Sequence, residues 1–178
     1  MNGLIEERVF SLYLQDEANF RNASMFTAGG YDLERFAPGK NITWNENTDP
    51  DYWSLKLKKA QIGDTMVITG TNHAIIDSGT SYLAMPESAL KSLTSLLDTV
   101  YGYQCEFDDY NYLYACACPD LELFKSTFPS LKVTLSESNT YEIPASDFVE
   151  REDGYCFLLI NKLSSDANFW ILGDIFLR

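Results

Sequence analysis

The feature that most constrains this chain is its punctuation. Short apolar runs are closed, one after another, by residues that reverse a backbone: Gly29-Gly30, Pro38-Gly39, Gly70-Thr71-Asn72 and Asp153-Gly154. Glycine accepts the backbone angles a tight turn needs, and Asn or Asp folds its side chain onto local amides. Runs this short suit strands better than helices, which need several turns to bury a face. Strands are expected over Val9–Leu14, Met25–Thr27, Ile42–Trp44, Trp53–Leu57, Ala60–Ile62 and Thr65–Ile68, then over Ala74–Ile76, Tyr112–Cys118, Leu131–Leu135, Tyr141–Ile143, Tyr155–Ile160 and Trp170–Leu172. Two segments read as helical. Pro86–Leu97 opens with proline and sets Leu90, Leu93 and Leu97 on one face, and a shorter helix is expected over Asp120–Ser126, just after Pro119. The expected fold class is mostly β with one or two short helices.

At 178 residues and 46% apolar content the chain can bury one sizeable core. It contains no repeat, low-complexity tract or linker, so residues 1–178 are expected to be a single domain. Twenty-six acidic against thirteen basic residues give a formal charge of -13. That balance opposes phosphate backbones and anionic bilayers, so nucleic acid is not expected as a partner, and it is compatible with an acidic compartment. No apolar run is long enough for a membrane span. The opening residues Met1 to Phe10 lack the basic, apolar, small-residue order of a secretory signal. The expectation is a chain that begins inside a longer precursor or a truncated reading frame.

Four cysteines, Cys105, Cys116, Cys118 and Cys156, form an even set suited to two disulfides. A zinc set is disfavoured, because no C-x-x-C pair occurs and the single histidine, His73, is distant in sequence. Disulfides imply an oxidising secretory route, and the N-glycosylation triplets at Asn22 and Asn41 point the same way.

The chemistry concentrates in Ala74-Ile75-Ile76-Asp77-Ser78-Gly79-Thr80-Ser81. An apolar strand ends in a carboxylate at a tight turn, a glycine allows close backbone approach, and hydroxyls on either side can donate to the carboxylate oxygens. Alone, this is also the composition of an ordinary β-turn. Its surroundings decide otherwise: Tyr82-Leu83-Ala84-Met85-Pro86 leads from the turn into the amphipathic helix, and Trp170-Ile171-Leu172-Gly173-Asp174 lies far downstream. Together these segments resemble the second active-site loop of the pepsin, cathepsin D and renin family and the hydrophobic-hydrophobic-Gly segment that passes beneath it. Val9–Leu14 followed by Gly29-Gly30, and Tyr52-Trp53, are similar to the family's opening of the carboxyl-terminal lobe and to its "YW" strand.

The resemblance implies a pepsin-like acid-protease lobe, half of a bilobal β-barrel-like fold. It implies an aspartic endopeptidase in which two aspartates share a proton and activate a water against a peptide bond, with no cofactor or metal. Asp77 would be one of the pair, Thr80 would hydrogen-bond its outer oxygen, and Ser78 would brace the loop, with Gly79 part of the same support. Gly79, Thr80, Ser81, Ile75 and Tyr52 would face a peptide or protein substrate, although core packing beside Trp53 is an equal reading of Tyr52. A disulfide Cys118–Cys156 is implied, while Cys105 and Cys116 depart from the family pattern and can close an added hairpin. Tyr112, Tyr114, Cys116 and Cys118 would share one strand face by alternation. The other aspartate would come from a missing amino-terminal lobe, and a final carboxyl-terminal strand is also expected to be missing. The fragment alone is expected to be inactive. The compartment implied is lysosomal, vacuolar or extracellular. Two other readings are a non-catalytic peptide-binding lobe or pseudoenzyme, and a homodimeric half-protease.

Overall fold

The computed structural model of the chain describes residues 5, 7–15, 24–67, 71–135 and 139–178. They fall into two compact units, Met1–Trp44 with Leu177–Arg178, and Asn45–Phe176. In the first unit, β1 (Phe10–Tyr13) pairs antiparallel with β2 (Met25–Ala28), Phe10 opposite Ala28, and a one-turn helix α1 (Leu33–Phe36) follows. Asp32 starts that helix by accepting a hydrogen bond from the Arg35 N–H.

The second unit holds the rest: β3 (Ser54–Ile62), β4 (Thr65–Met66), β5 (His73–Ile76), β6 (Leu83–Pro86), α2 (Glu87–Tyr101), β7 (Cys105–Asp108), β8 (Leu113–Ala117), α3 (Leu121–Thr127), β9 (Leu131–Leu135), β10 (Asn139–Ile143), α4 (Ala145–Phe148), β11 (Val149–Glu152), β12 (Tyr155–Leu158), β13 (Ile160–Leu163), β14 (Trp170–Leu172) and α5 (Asp174–Leu177). One sheet runs in the order β10-β9-β3-β5-β14-β6-β13, with β4 attached to β3. A second runs β11-β12-β8-β7. Most neighbours are antiparallel, but β14 lies parallel to β5 and β13 parallel to β6. These parallel pairings bring residues distant in sequence beside β5 and β6, the two strands that flank the D-S-G-T turn.

The mostly β expectation holds, with five helices among the described residues in place of one or two. The helix read as Pro86–Leu97 reaches Tyr101, because Gly102 supplies the left-handed residue (φ 75°) that ends it. Its buried stripe is Ala89, Leu90, Leu93 and Leu97, and each of those leucines contributes about 1.5–3 kcal/mol by leaving water. Trp53–Leu57 and Ala60–Ile62 are one strand, β3, with a register shift between Leu57 and Lys59 against β9. Tyr155–Ile160 divides instead, since the chain leaves one sheet at Leu158 and enters the other at Ile160. Ile42–Trp44 forms no strand. Tyr112 is also outside its expected strand: at φ 56° it belongs to the turn, and β8 begins at Leu113 and ends before Cys118.

The core of this unit draws on every layer. Trp170, Leu172 and Ala74 come from the central strands, Leu131, Val133 and Leu135 from β9, Leu90, Leu93 and Leu97 from α2, and Phe148 from α4.

Candidate active site

Asp77 stands one residue beyond β5, where the strand stops and the chain turns. The Asp77 N–H still donates to the Leu172 carbonyl (3.1 Å), so the residue keeps a hold on the sheet through β14 while its side chain projects beyond it. The Thr80 N–H donates to the Asp77 carbonyl (3.3 Å) and closes the turn. The carboxylate is held at both oxygens: the Gly79 N–H donates to Oδ1 (2.9 Å) and the Thr80 hydroxyl to Oδ2 (2.6 Å). The Thr80 hydroxyl, and after it the Gly79 amide, hold the carboxyl below the ordinary aspartate range, opposed by partial burial. Asp77 is half-buried, and Ser78 and Gly79 are exposed.

The segment after β14 supports this turn from below. Gly173 is buried, and a Cβ there would run into the carbonyl oxygens of Thr80 and Tyr82. Glycine is therefore required for close approach rather than for its backbone angles. The Asp174 N–H donates to the Thr80 carbonyl (2.8 Å) and the Ile175 N–H to that of Ser81 (3.4 Å).

Beside Asp77 opens a cleft of about 650 Å³ built from residues 48–54, β5 and the start of β14. Its apolar lining comes from Tyr52, Trp53, Ile75, Ile76, Phe169 and Ile171. Polar groups on the lining are Asp77 itself with Thr48, Asp49, Asp51, His73 and Asn168. Asp49 shapes this wall by accepting the N–H groups of Asp51 (2.8 Å) and Tyr52 (3.2 Å) at one oxygen.

Of the residues singled out in the sequence, Tyr52, Ile75 and Asp77 meet in this cleft. Tyr52 and Trp53 are each 60% exposed, so the core-packing reading of Tyr52 does not hold. Gly79, Thr80 and Ser81 form the turn and do not line the cleft. Ser78 makes no side-chain hydrogen bond among the described residues. Asp49, Asp51, His73 and Phe169 carried no local signal, because they join the site only through pairings such as β5 with β14.

Both disulfides form, Cys105–Cys116 and Cys118–Cys156. Cys105 lies directly opposite Cys116 in the β7–β8 hairpin, as an added hairpin bridge requires. Asn41 is exposed, and Asn22 lies outside the described residues. Among the described residues no group of three or more His, Cys, Asp or Glu side chains could hold a metal ion. No described helix is long and apolar enough to cross a membrane.

An aspartate just beyond a strand is thus clamped by a glycine amide and a threonine hydroxyl over a buried glycine segment. Residues 1–178 match the family described as eukaryotic aspartyl protease, and the chain belongs to it. Among curated relatives it is similar to pepsin II-1 of Oryctolagus cuniculus, at 28% identity over 180 residues, and to rhizopuspepsin-5 of Rhizopus niveus, at 31% over 176 residues. It is also similar to cathepsin E-B of Xenopus laevis, at 28% over 178 residues. These alignments cover 98–99% of this chain but only 41–42% of each relative, the share expected of a carboxyl-terminal lobe.

Proposed function

We propose that this chain is the carboxyl-terminal lobe of an aspartic endopeptidase and supplies one of two carboxylates that hydrolyse a peptide bond. The observation that carries the reading is the clamp on Asp77, with one oxygen on the Gly79 amide and the other on the Thr80 hydroxyl, at the mouth of an apolar cleft open to solvent. Such a clamp fixes the direction of both lone-pair sets and favours the ionised form.

A second carboxylate beside Asp77, supplied by the remainder of a longer protein, would bring two like charges together. The pair would then hold one shared proton and titrate in two separated steps. A water between them loses a proton to the ionised carboxylate as its oxygen attacks the peptide carbonyl carbon, and the protonated carboxylate gives its proton to the carbonyl oxygen. Collapse of the tetrahedral intermediate breaks the C–N bond, and the nitrogen leaves with a proton. Substrate would lie in the cleft against Tyr52 and Ile75, with Gly79, Thr80 and Ser81 lining the turn beside it and Ser78 bracing the loop against its counterpart. The two disulfides and exposed Asn41 favour a secretory route to a lysosome, a vacuole or the cell exterior.

The test uses a two-lobed form in which an amino-terminal lobe bearing the other aspartate is restored. That form should cleave a denatured protein at mildly acidic pH, and Asp77→Asn should slow it by at least about 1,000-fold with the fold unchanged. The 178-residue chain alone should not cleave. Full activity in Asp77→Asn removes the assignment, and peptide binding without cleavage by the two-lobed form selects a non-catalytic binding lobe instead.

A further inference from the structure

We infer that the cleft beside Asp77 selects a long cationic side chain, arginine or lysine, in the peptide it takes; this specificity rests on reading the chain as a peptide hydrolase lobe. Two features of the cleft converge on that class of residue.

The first is its walls. Ile75 and Ile171, paired across β5 and β14, give an aliphatic floor, and the rings of Tyr52 and Trp53 stand largely uncovered beside it. Aliphatic surface accepts the methylene stem of a long basic side chain, and exposed aromatic faces attract a guanidinium or ammonium head.

The second is the charge. Asp49 and Asp51 line the same cleft, and neither has a cationic partner among the described residues. Two other described carboxylates do form ion pairs, Asp64 with Lys132 (2.9 Å) and Glu87 with Lys91 (2.8 Å). Among the described residues no lysine or arginine lines the cleft, and His73 is its single basic group. Carboxylates left unpaired beside apolar surface favour an incoming cation, whereas a glutamate side chain would meet like charge.

The experiment follows peptide binding to the 178-residue chain by tryptophan fluorescence, since Trp53 lies in the cleft. It compares otherwise identical peptides with a central arginine, citrulline, leucine or glutamate at slightly alkaline pH, where carboxylates are ionised and imidazoles neutral. Citrulline keeps the shape of arginine and removes its charge. The arginine peptide should bind about fivefold more tightly than the citrulline peptide, and the glutamate peptide should bind most weakly. Asp51→Asn, an exposed substitution outside the catalytic turn, should reduce the preference for arginine over citrulline. Equal binding of arginine and citrulline by the unaltered chain overturns the inference, as does an arginine preference that survives Asp51→Asn undiminished, or no binding by any peptide. Failure of the parent reading is separable: arginine preference with no cleavage by the two-lobed form leaves a cation-selective peptide-binding site, whereas cleavage without the preference removes the specificity alone.

Discussion

Two regions of the second unit are fixed in opposite ways. The Asp77 turn and the strands that support it, β5, β6 and β14, contain no covalent crosslink. They are held by parallel strand pairing, by the Asp77, Asp174 and Ile175 amides reaching across to neighbouring carbonyls, and by a glycine that lets two backbones touch. The four-stranded sheet β11-β12-β8-β7 carries both disulfides. Its outer strands expose Glu106 on one edge and Glu150, Arg151 and Glu152 on the other, so they bury little. Covalent closure substitutes for apolar burial where a sheet is small and half wet, whereas the Asp77 carboxylate is held in position by close packing and short hydrogen bonds.

The comparison breaks first at Gly173. Gly173→Ala places a methyl group against the Thr80 and Tyr82 carbonyls, two backbone groups that cannot rotate away. The expected loss exceeds about 3 kcal/mol by urea denaturation, with activity of a two-lobed form abolished even in whatever fraction stays folded. A loss below 1 kcal/mol, roughly the scale of an ordinary exposed substitution, would show that the turn is not packed on this segment.

Next come the disulfides. Cys118–Cys156 spans 38 positions and Cys105–Cys116 spans 11, so removing the first as a serine pair should cost about 4 kcal/mol and removing the second about 3 kcal/mol on the chain-entropy scale. Register adds a coupling: Cys116 lies opposite both Cys105 on β7 and Cys156 on β12. Removing both bridges should therefore be non-additive in chemical denaturation, since the two closures constrain neighbouring strands. In neither case should the Asp77 environment change, and an altered Asp77 titration would erase the division between the two regions.

How much of this was legible in the residues depends on whether the cause was local. The D-S-G-T turn, the leucine stripe of α2 and strands such as Leu131–Leu135 are written in neighbouring positions, and the structure places them where expected. Leu83–Pro86 shows no strand periodicity because all four residues are buried, which removes the alternation that marks a half-exposed strand. Cys105–Asp108 and Val149–Glu152 were missed for the reverse reason, since charged residues on an outer strand look like loop. Ile42–Trp44 has strand composition but finds no pairing partner, and composition alone forms no ladder. The one-turn helices α1, α4 and α5 are too short for periodicity to show. Within the site the same rule holds: Asp77, Thr80 and Gly173 are local signals, while the carboxylate-bearing wall of Asp49 and Asp51 exists only because β3 lies beside β5.

A milder test of the uncrosslinked region is Thr80→Val, which removes the stronger donor to Asp77 and keeps the side-chain volume. The folded-state value of Asp77 is depressed below the ordinary one, so this interaction stabilises fully above the ordinary carboxyl range and is lost as pH falls through the folded value. The variant should be less stable by about 1 kcal/mol near neutrality, allowing for solvent at a half-exposed group. The difference should shrink below about pH 4 as both forms protonate. An Asp77 carboxyl resonance followed by NMR should titrate at higher pH in Thr80→Val, and an unchanged midpoint would mean that the hydroxyl does not hold the carboxylate.

The smallest effect is expected at carboxylates whose titration is also shifted but which pair with a lysine at the surface. Lys132 lowers the titration of Asp64, and Lys91 lowers that of Glu87, in each case through a hydrogen bond first and charge second. The sign is the same as for Asp77: any stabilisation is present above the ordinary carboxyl range and lost as acid protonates the group. Exposed pairs gain little, because water and salt screen the attraction and two long side chains must be ordered to make it. The double variant Asp64→Asn, Glu87→Gln should therefore leave the acid limb of the stability curve where it was, within the error of a thermal melt. The same melts on Thr80→Val should move that limb. A limb displaced by the exposed pairs and not by Thr80→Val would reverse the ranking, making surface charge rather than the clamped carboxylate the source of the acid response.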